Sequence, residues 1–564
     1  MTKKLSLHNF YSAEPARISA VELNRLPQHE RLEKIRSSHG KAKYEMLLNA
    51  TDGDKLTPML HPQELYLTVC EIGPEYASEL LLMTTTDQIT TLIDLDCWQE
   101  DHLDQKTTLE WLSLLLETGE TKVVQTLTEM EPELVCLILK AHLRVISGPE
   151  AYDSDDDIGN ANRLEGLYDI DYRDEESAKI VGGLLKMVQK EDEKAWIQLL
   201  ELVRCELDSV LEEEVYQTRN NRLLDYGFMS PAEARSIYTR VDPETFKPVS
   251  GKQFGLETEE IQSPLPLLRL AQPGGMLAEV LAAGVDHYLA TELCFLANRK
   301  MAADLVDLSR EEDISSSLSQ LYAGLNLGLE HLANHDVAQA VELFNNSYLL
   351  QIFQVGHSLV KVQADRGKVL LATAAGKLLD GPYRRFIETL QQSPPELFSG
   401  IRVGDHQHPV PIQSLKQIGQ IEAILQQIEL QQKIYSDLLR PEFNQTGIPD
   451  LSGCNIESET DLTLSDLFLT ALANQLLGGD FTPQPLAACE LTTLHRLLVQ
   501  DSKLNPQLVE QVRSQLEAQL PDSSIFADYC LEIWQEEFCQ LEESEIDPRY
   551  LSGLIIRLEK ETEG

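Results

Sequence analysis

Asp153, Asp155 and Asp157 alternate within an acidic run, and alternating carboxylates are how a loop offers oxygen ligands to a divalent cation. An EF-hand loop follows such a triplet at once with glycine and later closes on glutamate. Here Ile158 takes the glycine's place, and Gly159 and Glu165 each arrive one position late. The run reads as a solvated acidic loop, with divalent-cation sensing as its chemical alternative. His331 and His335 stand four residues apart on a helix expected over 325–340, with His357 as the third ligand a metal would need. Zinc proteases place glutamate directly after the first histidine, and Leu332 stands there instead. His406-Gln407-His408 sits in a Pro/Gly loop without a partner cluster.

A denser set of donors lies at Arg219-Asn220-Asn221-Arg222. Two arginines and two asparagines on one helical turn suit an anionic ligand, or equally the pairing of nearby acids. Asn298-Arg299, after the apolar run ending at Ala297, poses the same choice. The candidate ligand-binding residues are therefore Arg219, Asn220, Arg222, Asn298 and Arg299, and the candidate cation ligands are Asp153, Asp155 and Asp157. The chain carries no nucleophile elbow, P-loop or clean dinucleotide fingerprint. No catalytic residue is singled out and no cofactor is implied.

Local helix signals position these residues. Glu212, Glu213 and Glu214 precede Arg219 and Arg222, an order that matches the helix dipole. Gly227 suits the left-handed residue that ends a helix, and Ser230-Pro231-Ala232-Glu233 reads as a capping box that starts another. The segment is thus helix, tight turn, helix. Residues 61–142 show the same signals in series: His61-Pro62-Gln63-Glu64, Gly73-Pro74-Glu75, Thr85-Thr86-Asp87-Gln88, Gly119-Glu120 and Glu131-Pro132-Glu133. Proline fits a first helical position because its missing N–H would have no partner there. Each opening leads into a short apolar pattern, and Leu80, Met83 and Leu92 recur as Leu127, Met130 and Leu139. This rhythm predicts a superhelical stack.

The expected fold is mainly α, with that stack followed by one or two helical domains and at most a small β element near 165–173. The expected domains are a helical solenoid-like domain over 1–147, an acidic loop and short strand over 148–178, a central helical domain over 179–390 and a C-terminal helical domain over 391–564. Leu415 to Leu438 carries apolar residues at the spacing of one long helix.

Composition sorts the function classes. With 42% apolar residues the chain can build real cores. No apolar run approaches the roughly 20 residues of a membrane span, and Met1-Thr2-Lys3-Lys4 opens no signal peptide, which together predict a cytoplasmic protein. The nine cysteines form no CxxC pair and read as free thiols. The net charge is −45, so nucleic acid and anionic membranes are poor partners. Residues 1–50 hold nine basic and five acidic residues, either a basic first helix on an acidic body or a docking arm.

Glu71-Ile72-Gly73-Pro74-Glu75, Asp94-Leu95-Asp96-Cys97-Trp98, Arg219-Asn220-Asn221-Arg222-Leu223 with Gly227-Phe228, and Leu296-Ala297-Asn298-Arg299 together resemble an uncharacterised bacterial family. That family is a domain of unknown function found mainly in sulfate-reducing and related bacteria. The resemblance covers most of the chain and implies no activity. More loosely, residues 61–142 resemble the superhelical regulatory domain of MgtE-type magnesium transporters and the repeats of a flagellar motor switch protein. The transporter's membrane helices have no counterpart, so transport is not carried over. The function expected is protein binding by a cytoplasmic scaffold or adaptor whose partner and oligomeric state are open. The alternatives are an enzyme or small-anion sensor around 212–233 and a cation sensor at 153–165.

Overall fold

Four of the five helix openings of 61–142 become helix starts in a computed structural model that describes residues 18–73, 76–147, 161–164, 168–252, 265–402, 405, 407–439 and 448–558; Pro74 and Glu75 of the other lie outside the described residues. Helix α1 spans Gly40–Asn49 and α2 spans Pro62–Ile72, with Pro62 in its first turn and Gly73 at φ +90° ending it. Then come α3 (Ala77–Met83), α4 (Thr86–Asp96), α5 (Gln105–Glu117), α6 (Glu120–Glu129) and α7 (Pro132–Lys140). Thr85 and Gln88 close a full capping box on α4, and the Asp104 carboxylate accepts the Thr107 N–H at 2.8 Å to start α5. Capping of this kind satisfies amides that have no partner inside the helix.

Packing skips along the chain. Helix α2 lies on α1 and α4, α4 on α6, and α3 on α5. Leu65 of α2 and Leu92 of α4 are fully buried, as is Leu134 of α7. Removing such a side chain to alanine costs roughly 2–5 kcal/mol. Asp96 ties three helices together by accepting the Tyr66 hydroxyl at 2.6 Å and the Trp111 indole N–H at 2.7 Å.

The strand read near 165–173 exists as β3 (Tyr168–Tyr172), and it is the centre of an antiparallel sheet flanked by β1 (Leu143–Ser147) and β2 (Ala161–Leu164). Three helices follow: α8 (Glu175–Glu191), α9 (Glu193–Cys205) and α10 (Asp208–Leu224). The Asp192 side chain caps the second of them through the Ala195 N–H, a polar start hidden between two apolar patterns. Helices α11 (His287–Asp304) and α12 (Glu311–Leu332) come later in this unit, which ends at Gly356. The helix expected over 325–340 is broken. Asn334 and His335 adopt positive φ, so α12 stops at Leu332 and a new helix begins at Val337.

The second unit starts at His357. It contains α13 (Gly381–Leu390), α14 (Leu415–Lys433), α15 (Leu464–Leu476), α16 (Leu491–Leu498), α17 (Pro506–Gln519) and α18 (Ser524–Ile533). The long helix read from Leu415 is α14, extended by a wider π turn over Ile434–Leu439. One corner occurs in both units. Trp98–Gln99 pairs with His102–Leu103 and the Asp104 N–H donates to the Cys97 carbonyl at 2.7 Å. Likewise Val499–Gln500 pairs with Lys503–Leu504 and the Asn505 N–H donates to the Leu498 carbonyl at 2.8 Å. Glu100, Asp501 and Ser502 take the positive φ that such tight hairpins require. Among the described residues no helix is long and apolar enough to cross a membrane.

Candidate functional site

The helix–turn–helix corner forms as its sequence predicts. Gly227 has φ +85°, and a Cβ there would lie 2.7 Å from the Phe295 Cα, so both conformation and space demand glycine. This corner lays α10 against α4 and α7. Arg222 then donates from Nε and Nη2 to the two oxygens of Asp94, at 2.7 and 2.9 Å, and from Nη1 to Glu131. Asp94 is fully buried. Burial drives its carboxyl toward the neutral form, and the Arg222 fork works against that. Arg219 donates to the Asp94 carbonyl at 2.9 Å and lies over the Trp98 ring at 5.2 Å. Burial lowers its pKa, and the Asp94 charge works against that. The Asn220 amide oxygen receives Arg219 at 3.4 Å.

Asn298 lies in a different setting. It exchanges two hydrogen bonds with Gln63, both at 2.9 Å, and donates to the Tyr226 carbonyl at 2.7 Å. Arg299 donates to the Ser236 hydroxyl, while its Nε finds no partner among the described residues. Burial alone lowers its pKa. The structure thus brings Arg219, Asn220 and Arg222 together around Asp94, and leaves Asn298 and Arg299 apart from them on α11. Asp153, Asp155, Asp157 and His406 lie outside the described residues. His331 contacts the Pro243 carbonyl at 3.0 Å. With α12 broken at Leu332, His331 and His335 do not share a helix face. Among the described residues no cluster of three or more histidine, cysteine or acidic side chains is placed to hold a metal.

Helix α2 carries a polar set that the sequence reading passed over. His61 caps it, and burial pushes this imidazole down to about 3, so it stays neutral. Glu64 pairs with Lys43 of α1, and both side chains are almost wholly buried. Burial lowers the Lys43 pKa against the pull of Glu64. Two turns on, Cys70 and Glu71 face an open cleft of about 950 Å³, whose other wall is the start of α12 with Ser309, Arg310, Glu311 and Glu312. His39 Nδ1 lies 3.6 Å from Glu71. Gly40 has φ +50°, and any Cβ there would run into the Glu71 carboxylate. Burial raises the Glu71 pKa; His39 opposes the shift and the Glu311 charge adds to it. Arg310 is turned to Asp313 at 3.3 Å. Lys43 opposes the Glu71 shift as well, so the acidic excess lies in the lining, where Glu71, Glu311 and Glu312 stand against Arg310, and the cleft's chemical complement is a cation. The run Ser309-Arg310-Glu311-Glu312-Asp313-Ile314-Ser315-Ser316-Ser317 was the available signal. It reads locally as an acidic helix start, and only folding places Glu71 opposite it.

All nine cysteines are free: six are buried, Cys70 is half-buried, and Cys205 and Cys489 are exposed. No curated protein and no solved structure matches the chain. The likeness of residues 61–142 to the MgtE-type and motor-switch domains rests on helix rhythm alone. A family model does match, over residues 20–557, and by it the chain belongs to the family of unknown function DUF6178.

Proposed function

We propose that this chain is a cytoplasmic interaction protein, a scaffold or adaptor, and that it takes a basic segment of a protein partner into the cleft between α2 and the start of α12. The observation that carries this reading is Glu71. Its side chain is 20% exposed, it sits in the cleft wall, and Glu311 raises its pKa further. A lysine or arginine side chain entering the cleft would relieve that excess of negative charge. The net charge of −45 adds long-range attraction for basic partners. Affinity capture with the full chain from native lysate, followed by cross-link mapping, tests it. We expect a stoichiometric partner whose basic segment cross-links to residues 308–319, and recovery that falls at least about tenfold in the Glu71→Gln/Glu311→Gln variant. Equal recovery with both proteins would overturn it.

A second reading, a small-anion sensor, is favoured by Arg299, because its Nε has no partner among the described residues and no carboxylate offsets its burial. Thermal shifts with inorganic phosphate and sulfate test it. A shift present in the native chain and absent in Arg299→Gln supports this reading, and equal shifts in both reject it.

A further inference from the structure

Two carboxylates are buried side by side at helix starts in the second unit. Asp380 precedes α13 and makes no capping hydrogen bond to it. One of its oxygens accepts the Ser465 hydroxyl from the first turn of α15, and the other finds no partner among the described residues. The Asp380 side chain sits in a residue only 4% exposed. Asp466 is the capping-box acid of α15. It accepts the Thr463 N–H at 2.9 Å, the Thr463 hydroxyl at 2.7 Å and the Gly553 N–H at 3.1 Å. Asp466 thus has more close donors than Asp380, on which the Ser465 hydroxyl and N–H and the Thr463 hydroxyl act, and burial raises the pKa of both acids.

The groups around Asp380 are largely neutral. From α15 come Thr463, Ser465 and the charge of Asp466; from α13 the Tyr383 hydroxyl, which donates to Gln427 at 3.3 Å. From α18 come Tyr529, whose ring meets that of Tyr383 at 5.2 Å, and the fully buried Cys530. From α14 comes Gln431, fully buried beside the Tyr383 hydroxyl, whose amide atoms have no close hydrogen-bond partner among the described residues. Arg402 acts on Tyr383 and pairs with Glu532 at 3.7 Å.

We propose that Asp380 is a proton-operated latch between the starts of α13 and α15. With a proton on its free oxygen it is a neutral acid that fits this interior and keeps the Ser465 hydrogen bond. Without the proton, its charge faces that of Asp466 across Ser465, with only the Ser465 and Thr463 donors to set against its burial, and the two helix starts separate. Burial pushes the Asp380 carboxyl up to about 7, against an ordinary value of 3.8, so the latch releases near neutral pH. The opened segment would ionise at the ordinary value. The equilibrium for opening therefore rises with pH up to the folded-state value and levels off above it.

Hydrogen exchange of the full chain, corrected for intrinsic rates, tests this at 381–384 and 464–467. Between about pH 6 and pH 8.5 these amides should lose about tenfold in protection, while the Asp380→Asn variant, neutral at both pH values, should stay protected. Infrared difference spectra of the native chain against Asp380→Asn give a second readout: a protonated-carboxyl band present near pH 6, gone by about pH 8.5 and missing from the variant, which separates it from the buried carboxyls of Asp94, Glu71 and Asp466. Protection independent of pH, an equal loss in Asp380→Asn, or the absence of that band would overturn the latch. So would restoration of protection at high pH by potassium or magnesium chloride, which would make the buried charge a metal ligand instead.

Discussion

Gln63 and Asn298 pair their side-chain amides across 235 residues, each donating to the other at 2.9 Å. Both are buried. A buried amide offers donors and an acceptor at once, and here each residue is the other's complement. Replacing Asn298 by leucine leaves the Gln63 amide and the Tyr226 carbonyl unpaired. Chemical denaturation should show a loss of roughly 2–4 kcal/mol, with part recovered in the Gln63→Leu/Asn298→Leu double variant.

Arg222 and Asp94 make the stronger test of whether the arginine turn is structural. Arg222→Met strands a carboxylate with no exposure, so destabilisation of roughly 3–5 kcal/mol is expected. Arg222→Lys should rescue little, because an ammonium cannot reproduce the two-pronged contact. A stable, folded Arg222→Met protein would show that the Arg222–Asp94 pair is not what holds α10 to α4.

Glu71 should make stability depend on pH in a defined direction. Its folded-state pKa is raised by burial, so the folded chain holds this proton more tightly than the unfolded chain does. That contribution is complete below the ordinary value of 4.5 and is lost as pH rises through the raised value. Relative to Glu71→Gln, the native protein should lose stability on going from acidic to neutral pH. Parallel unfolding curves at each pH check it, and a constant difference would refute the assignment.

Thiol labelling reads the burial pattern directly. Under native conditions iodoacetamide should modify Cys205 and Cys489 first. Cys70 borders the cleft, yet burial pushes its thiol up to about 12, so it should react slowly even at mildly alkaline pH. Mass spectrometry of timed samples distinguishes this from fast Cys70 labelling, which would mean the cleft opens in solution.

Gly227→Ala should cost at least about 1–3 kcal/mol, since a side chain there meets both positive φ and the Phe295 backbone. Circular dichroism melts suffice to measure it, and a neutral effect would mean that the corner rearranges.

The amino-acid sequence by itself determined where helices begin and end. Pro62, Thr85 with Gln88, Pro132 and Gly227 act within one or two turns of themselves, through capping bonds and fixed dihedrals, so their meaning survives without the rest of the chain. Family membership was legible for the same reason, in short runs such as Arg219-Asn220-Asn221-Arg222. The strand Tyr168–Tyr172 was legible, but its partners were not, because pairing is a contact between distant segments. The break at Asn334-His335 was missed because an apolar pattern runs through it on both sides, while two residues of positive φ turn the backbone. Only the tertiary structure decided which charges meet. Asp94 and Arg222, Glu64 and Lys43, Glu71 and Glu311, Asp380 and Asp466 come from separate helices, and any of the 92 acidic residues could have filled these places on local grounds. Burial gives each pair its chemistry, and burial is a property of packing that no local run of residues carries.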